Sequence, residues 1–196
     1  MTNKMNLQAR AGQPAVFLDR DGTLIAEVPF LSRPEQVKLL PDAAESLGKL
    51  QTAGFSLVIV TNQSGVGRGL MSEDDVEQVH EHMCQLFHHK DVTFDAILHC
   101  PTKPATSDRT TIEDFYRKPG PGMLLSAAEQ LELDLSRSWM IGDRLSDLFA
   151  GQNAGCCGSI LVETGHGLSS DEESYREDFV TTTDLLSAAD WILKHS

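Results

Sequence analysis

Ala15-Val16-Phe17-Leu18-Asp19-Arg20-Asp21-Gly22-Thr23 is the stretch that decides how this chain folds. Four apolar residues run without a break into two acids, one residue apart, and a glycine. A short apolar run that does not alternate suits a strand buried on both faces, and the Asp-x-Asp-Gly after it suits a turn at the strand's carboxyl end. The same pattern recurs downstream. Residues 55–60 end at Thr61-Asn62-Gln63-Ser64-Gly65, residues 94–98 end near His99 and Cys100, residues 139–141 end at Gly142-Asp143, and residues 159–162 end at Glu163.

Helical patterns separate these runs. Residues 41–53 carry Ala44, Leu47 and Leu50 at helix spacing and stop at Gly54. Ser72 opens the next helix, with Asp75 at the capping-box position and Glu73 and Asp74 in an acidic first turn. Residues 121–133 and 145–154 supply two more, and 184–194 form a terminal helix. Five alternations of strand and helix predict an α/β fold: a Rossmann-like three-layer sandwich around a parallel sheet. The irregular stretches 22–40, 101–118 and 164–178 are long enough to serve a site.

The composition agrees. At 196 residues and 40% hydrophobic content, the chain can bury a core without a disulfide or metal staple. We expect one domain over residues 14–196, preceded by a polar tail, residues 1–13, that lacks the apolar core of a secretion signal. A net charge of −13 disfavours generic binding to nucleic acid or to an anionic membrane surface. The longest aliphatic run, residues 57–60, is too short to span a bilayer. Four cysteines without a Cys-x-x-Cys pair suit a reducing, cytoplasmic setting, with Cys156 and Cys157 as small buried residues.

In an open parallel sheet, ligands bind beyond the carboxyl ends of the strands. There the sequence places Asp19, Asp21, Thr61 and Asp143, with Lys118 in Arg117-Lys118-Pro119-Gly120. Three carboxylates at one place call for a cation, and hard oxygen ligands suit Mg²⁺. A carboxylate can attack phosphorus once Mg²⁺ and a lysine screen the negative charge, and a second acid two residues on can protonate the leaving oxygen. The hydroxyl of Thr61 and the turn after it offer phosphate donors.

These elements resemble the haloacid dehalogenase superfamily of phosphohydrolases, whose first motif is Asp-x-Asp-Gly-Thr/Val. The likeness covers residues 16–162, about three-quarters of the chain. By position it implies Asp19 as nucleophile and Asp21 as general acid/base, with Thr61 and Lys118 holding the phosphoryl group. It implies Mg²⁺ on the Asp19 carboxylate, the Asp21 main-chain oxygen and Asp143, and Asp147 as a supporting partner of Lys118 or of a metal-bound water. Relatives often carry a cap domain in one of two loops. Here neither loop can build a core, so no cap is expected. The substrate should be a small phosphorylated metabolite.

The longer strings Phe17 to Thr23 and Thr61-Asn62-Gln63-Ser64-Gly65-Val66-Gly67-Arg68-Gly69 resemble the branch of heptose-bisphosphate and histidinol-phosphate phosphatases. Gly-Val-Gly-Arg-Gly and Arg33-Pro34-Glu35 lean toward the heptose side. That likeness adds Asn62, Gln63, Ser64 and Arg117 to the substrate contacts and makes residues 27–30 a substrate loop. The branch usually holds zinc on four Cys and His ligands ahead of the Arg-Lys pair. Of these only Cys100 remains, so no structural zinc is expected, and packing of Phe115 and Tyr116 would hold the loop instead.

Arg20, Arg68, Arg117 and Arg144 adjoin the motifs and suggest a local attractor for anions. His80, Cys84 and His88 share one helix face; a metal site is geometrically conceivable there, but they read as a surface or half-buried stripe. Gly165-His166-Gly167 is a candidate rim. A receiver-like phosphoacceptor module is the non-enzymatic alternative, but there the accepting aspartate lies on a strand apart from the acidic pair. The expected oligomeric state is a monomer.

Overall fold

The computed structural model describes residues 12–196, so most of the expected polar tail lies outside the described residues. Strands β1 (Ala15–Leu18), β2 (Ser56–Asn62), β3 (Ala96–Cys100), β4 (Trp139–Gly142), β5 (Gly158–Val162) and β6 (Val180–Thr182) form one parallel sheet in the order β3-β2-β1-β4-β5-β6. The sixth strand adds to the expected five. It is three half-buried residues, Val-Thr-Thr, at an edge, so it offers no apolar run. Its pairing with β5 defines it. β3 begins two residues later than expected, because Asp95 accepts a hydrogen bond from the Leu57 backbone at 2.9 Å and Phe94 packs against the core ahead of the strand.

The helices are α1 (Ala43–Thr52), α2 (Ser64–Gly67), α3 (Glu73–His88), α4 (Gly122–Leu131), α5 (Leu145–Ala154) and α6 (Leu185–His195). The expected capping box of α3 is present: Ser72 Oγ accepts from the Asp75 amide at 3.1 Å, and Asp75 Oδ2 accepts from the Ser72 amide at 2.7 Å.

Alternation along each strand feeds two cores. Val16, Leu18, Leu57, Ile59 and Ile141 join α1, α3 and α6 on one face. Ala15, Phe17, Val58, Val60 and Met140 join α4 and α5 on the other. Burying one such leucine or phenylalanine is worth about 1.5–3 kcal/mol, so the central strands anchor both layers.

Leu18 lies beside Ile59 of β2 and Ile141 of β4, and the Asp19 amide donates to the Ile141 carbonyl at 2.9 Å. Three strands therefore end at one level. The chain winds outward one way from β1 to β3 and the other way from β4 to β6, which leaves a crevice where the order reverses.

Residues 22–42 contain only the single turn Pro34–Gln36 and two isolated bridges, and residues 101–121 contain neither strand nor helix. Neither loop forms a second core. Of the two cysteines expected to be buried, Cys156 is half-buried and Cys157 exposed. The turn after α5 places them just ahead of β5, at the amino end of the sheet and not inside it.

Candidate active site

Lys118 is the hub of the crevice floor. Its Nζ donates to Asp19 Oδ1 at 2.5 Å and to the Val60 carbonyl at 2.7 Å, and it lies 2.7 Å from Asp147 Oδ1. The ammonium is 1% exposed and its two carboxylate partners 9% and 2%. Burial opposes the charge on Lys118, but the Asp147 and Asp19 carboxylates outweigh it and hold its pKa above the ordinary lysine value. Removing one partner of such a buried pair strands the other, at a cost of about 3–5 kcal/mol. The lysine backbone is fixed as well. Asn62 Oδ1 accepts from the Lys118 amide and Asn62 Nδ2 donates to the Lys118 carbonyl, each at 3.1 Å.

Asp147 is fully committed. One oxygen meets Lys118, and the other accepts from the Arg144 amide at 3.0 Å at the start of α5. Asp143, at the end of β4, is different. Its Oδ2 accepts from the His166 amide at 2.6 Å, while its buried Oδ1 has no hydrogen-bond partner. Burial, then the charges of Asp19 and Asp147, push the Asp143 carboxyl up to about 8. Asp19, Asp143 and Asp147 each bring an oxygen within 4.8 Å of the others.

An unpartnered buried carboxylate oxygen in an all-oxygen set, with one ammonium among three carboxyls, is what a hard divalent cation would complete. The crevice is shaped for that closeness. A Cβ on Gly22, which has φ +80°, would lie 2.6 Å from Asp143 Oδ2, and one on Gly165 would overlap the same carboxylate.

Asp21 stands at the edge, its side chain 20% exposed. Arg20 grips it through Nε and Nη2 at 2.8–3.1 Å. Gln63 Nε2 donates both to Asp21 Oδ2 at 3.1 Å and to Thr61 Oγ1 at 2.9 Å. Asp19, Asp21, Thr61, Asn62, Gln63, Ser64, Arg117, Lys118 and Asp147 line one cavity of about 520 Å³, and Asp143 lies against it through Arg144 and His166. The structure thus brings together the residues singled out in the sequence. It also gives several of them jobs that spacing does not reveal: Asn62 holds the Lys118 backbone, and Gln63 ties Thr61 to Asp21.

Arg68, Arg117 and Arg144 line the cavity, as an attractor for anions requires. Arg20 is 1% exposed, with its donors spent on Asp21 and His80. Above the floor, Glu27 pairs with Arg144 at 2.8 Å and with His166. The sequence marked residues 27–30 and 165–167 separately, and their contact appears only in three dimensions.

The loop 101–117 is not held as expected. Phe115 and Tyr116 are 53% and 51% exposed, with their rings edge to face at 5.3 Å. Acids fold the loop. Asp114 Oδ1 accepts from the Tyr116 and Arg117 amides at 2.8 and 3.0 Å. Glu113 accepts from the Ala105 and Thr106 amides, both at 2.7 Å, and Asp108 from Thr110 and Thr111. Arg117 Nη1 closes the base of the loop on the Thr102 carbonyl at 2.8 Å.

Residues 115–188 match the model of a HAD-hydrolase-like family. The chain is 38% identical over 193 residues to D-glycero-D-manno-heptose-1,7-bisphosphate 7-phosphatase of Thermosynechococcus vestitus, covering 93% of this chain and 97% of that protein. It is 36% identical to D-glycero-beta-D-manno-heptose-1,7-bisphosphate 7-phosphatase of Escherichia coli K12, covering 92% of this chain and 88% of the relative. Among solved structures, the D,D-heptose 1,7-bisphosphate phosphatase of B. bronchiseptica, complexed with magnesium and phosphate, superposes with a TM-score of 0.79 at 30% identity, covering 93% and 99% of the two chains.

Proposed function

We propose that this chain, which belongs to the HAD-like hydrolases and is a phosphatase, removes the 7-phosphate of D-glycero-D-manno-heptose 1,7-bisphosphate. The single observation that carries the catalytic part is the buried contact of Lys118 with Asp19 and Asp147 at the strand ends. The names of the relatives and the arginines at the cavity mouth support the substrate. A second phosphate on a bisphosphate would meet Arg68, Arg117 and Arg144, whereas the cationic amine of histidinol phosphate would not be favoured there.

A carboxylate oxygen of Asp19 attacks phosphorus, forming an acyl phosphate as the bond from phosphorus to the sugar oxygen breaks. Asp21 gives its proton to that oxygen. Asp21 then takes a proton from water, whose oxygen displaces Asp19, so that phosphate leaves and both carboxyls return to their starting state. Lys118 neutralises the approach of one anion to another, and Thr61 donates its hydroxyl to a phosphoryl oxygen. The Asp19 and Asp143 carboxylates and the Asp21 main-chain oxygen would hold Mg²⁺, which when bound screens the carboxylate from the phosphoryl oxygens. Asp147, already spent on Lys118 and the Arg144 amide, serves as support. Asn62, Gln63, Ser64 and Arg117 frame the phosphate and the sugar. Carboxylate-capped turns shape the loop 101–117 without zinc. Since every group named comes from one chain, a monomer suffices.

The test is phosphate release with Mg²⁺ from the heptose bisphosphate and from histidinol phosphate, with the product followed by ³¹P NMR. We expect the 7-phosphate to be lost, with kcat/KM at least about 100-fold above histidinol phosphate, as a site with paired anion contacts allows. Loss of the 1-phosphate, or a preference for histidinol phosphate, would overturn the substrate.

A further inference from the structure

We infer that His80 is a positioning residue for catalysis, acting through Arg20 on Asp21. The inference rests on the reading of Asp21 as general acid/base. Arg20 is the largest fully buried side chain among the described residues. Its guanidinium has two customers. One edge, Nε and Nη2, carries the Asp21 carboxylate, and the remaining nitrogen, Nη1, lies 3.0 Å from His80 Nε2. An arginine only donates, so His80 Nε2 must accept, which requires a neutral ring with its proton on Nδ1. Burial, and then the Arg20 charge, hold the His80 pKa well below the ordinary histidine value, consistent with that role.

The geometry explains why a histidine belongs there. α3 supplies His80, 60 residues from Arg20 in sequence and buried with it. The contact fixes the plane of a guanidinium that would otherwise turn about its long side chain. With that plane fixed, Arg20 and Gln63 load Asp21 Oδ2 with donors, while Oδ1 receives one bond, at 3.1 Å. The less encumbered oxygen is the one left to exchange a proton. This buried relay does the orienting.

The experiment measures kcat/KM for the wild type and for His80→Leu, His80→Gln, His80→Asn and Asp21→Asn, with and without His80→Leu in the Asp21→Asn background. Two substrates are used with Mg²⁺: the sugar phosphate, whose leaving oxygen needs a proton, and p-nitrophenyl phosphate, whose leaving oxygen does not. His80→Leu is expected to lose about tenfold on the sugar phosphate, a fraction of what a general acid contributes, and less than threefold on p-nitrophenyl phosphate. His80→Gln, whose amide oxygen can accept from Arg20, should recover most of the loss, and His80→Asn, which is too short, should not. In the Asp21→Asn background His80→Leu should add nothing. If His80→Leu does not fold, the comparison of Gln with Asn decides. Equal losses on both substrates, no rescue by Gln, or an additive effect in the double variant would overturn the relay. A fully active Asp21→Asn would instead remove the reading beneath it.

Discussion

The floor and the mouth of the crevice are built by different physics. On the floor, Asp19, Lys118, Asp143 and Asp147 are buried beyond the ends of the central strands; Lys118 ties Asp19 to Asp147, and Asp143 keeps one oxygen unpartnered beside them. At the mouth, Glu27, Arg144, His166 and the loop 101–117 are exposed or half-exposed; Glu27 pairs with Arg144 and His166, and acids capping their own turns hold the loop. Charges in a low-dielectric interior act strongly and cannot be moved cheaply, whereas exposed pairs are screened and contribute little each. The difference teaches where change is tolerated. The chemistry is fixed by the sheet, and the choice of substrate rests on a shell that can be remodelled without disturbing it.

The largest effect should come from the floor. Asp19→Asn is expected to fold, since Lys118 keeps Asp147, but to lose about 10³-fold or more in phosphate release. Circular dichroism and a phosphate assay check both halves, and turnover within tenfold of the wild type would break the division between the two regions. The next effect sharpens it. Asp143 in the metal-free protein is pushed up to about 8, so Mg²⁺ must displace a proton to use it. Its affinity should rise about tenfold per pH unit between 6 and 7.5 and level off above 8, as followed by titration calorimetry. The sign for folding is opposite. The native state holds the Asp143 proton more tightly than the unfolded chain, so the metal-free fold loses stability as pH rises from the ordinary carboxylate value toward 8. Affinity independent of pH would remove Asp143 from the cation site. The smallest effect belongs to the mouth. Asp114→Ala should raise KM about three- to fivefold through a looser loop and leave kcat nearly unchanged, because only modest hydrogen bonds are lost. A fall in kcat at constant KM would show that the loop reaches the chemistry.

Phe17 and Leu18 show how much was legible in the sequence. Strands buried on both faces leave unbroken apolar runs, and acids at their ends stand out against that background. The edge strand β6 left no such trace, because Val180, Thr181 and Thr182 are half-buried and their identity as a strand lies in β5. Phe115 and Tyr116 misled for a related reason. Aromatic residues usually signal packing, but here the neighbouring carboxylates satisfy the loop's amides and the rings face solvent.

By itself the sequence determined the order of strands and helices and the identity of the carboxylates, the threonine and the lysine, because backbone periodicity and turn chemistry act over a few residues. Only the tertiary structure decided which of them touch. Lys118 reaches Asp19 across 99 residues and His80 reaches Arg20 across 60. Those distances are set by how the two layers of helices pack on the sheet, and local spacing along one chain does not encode them.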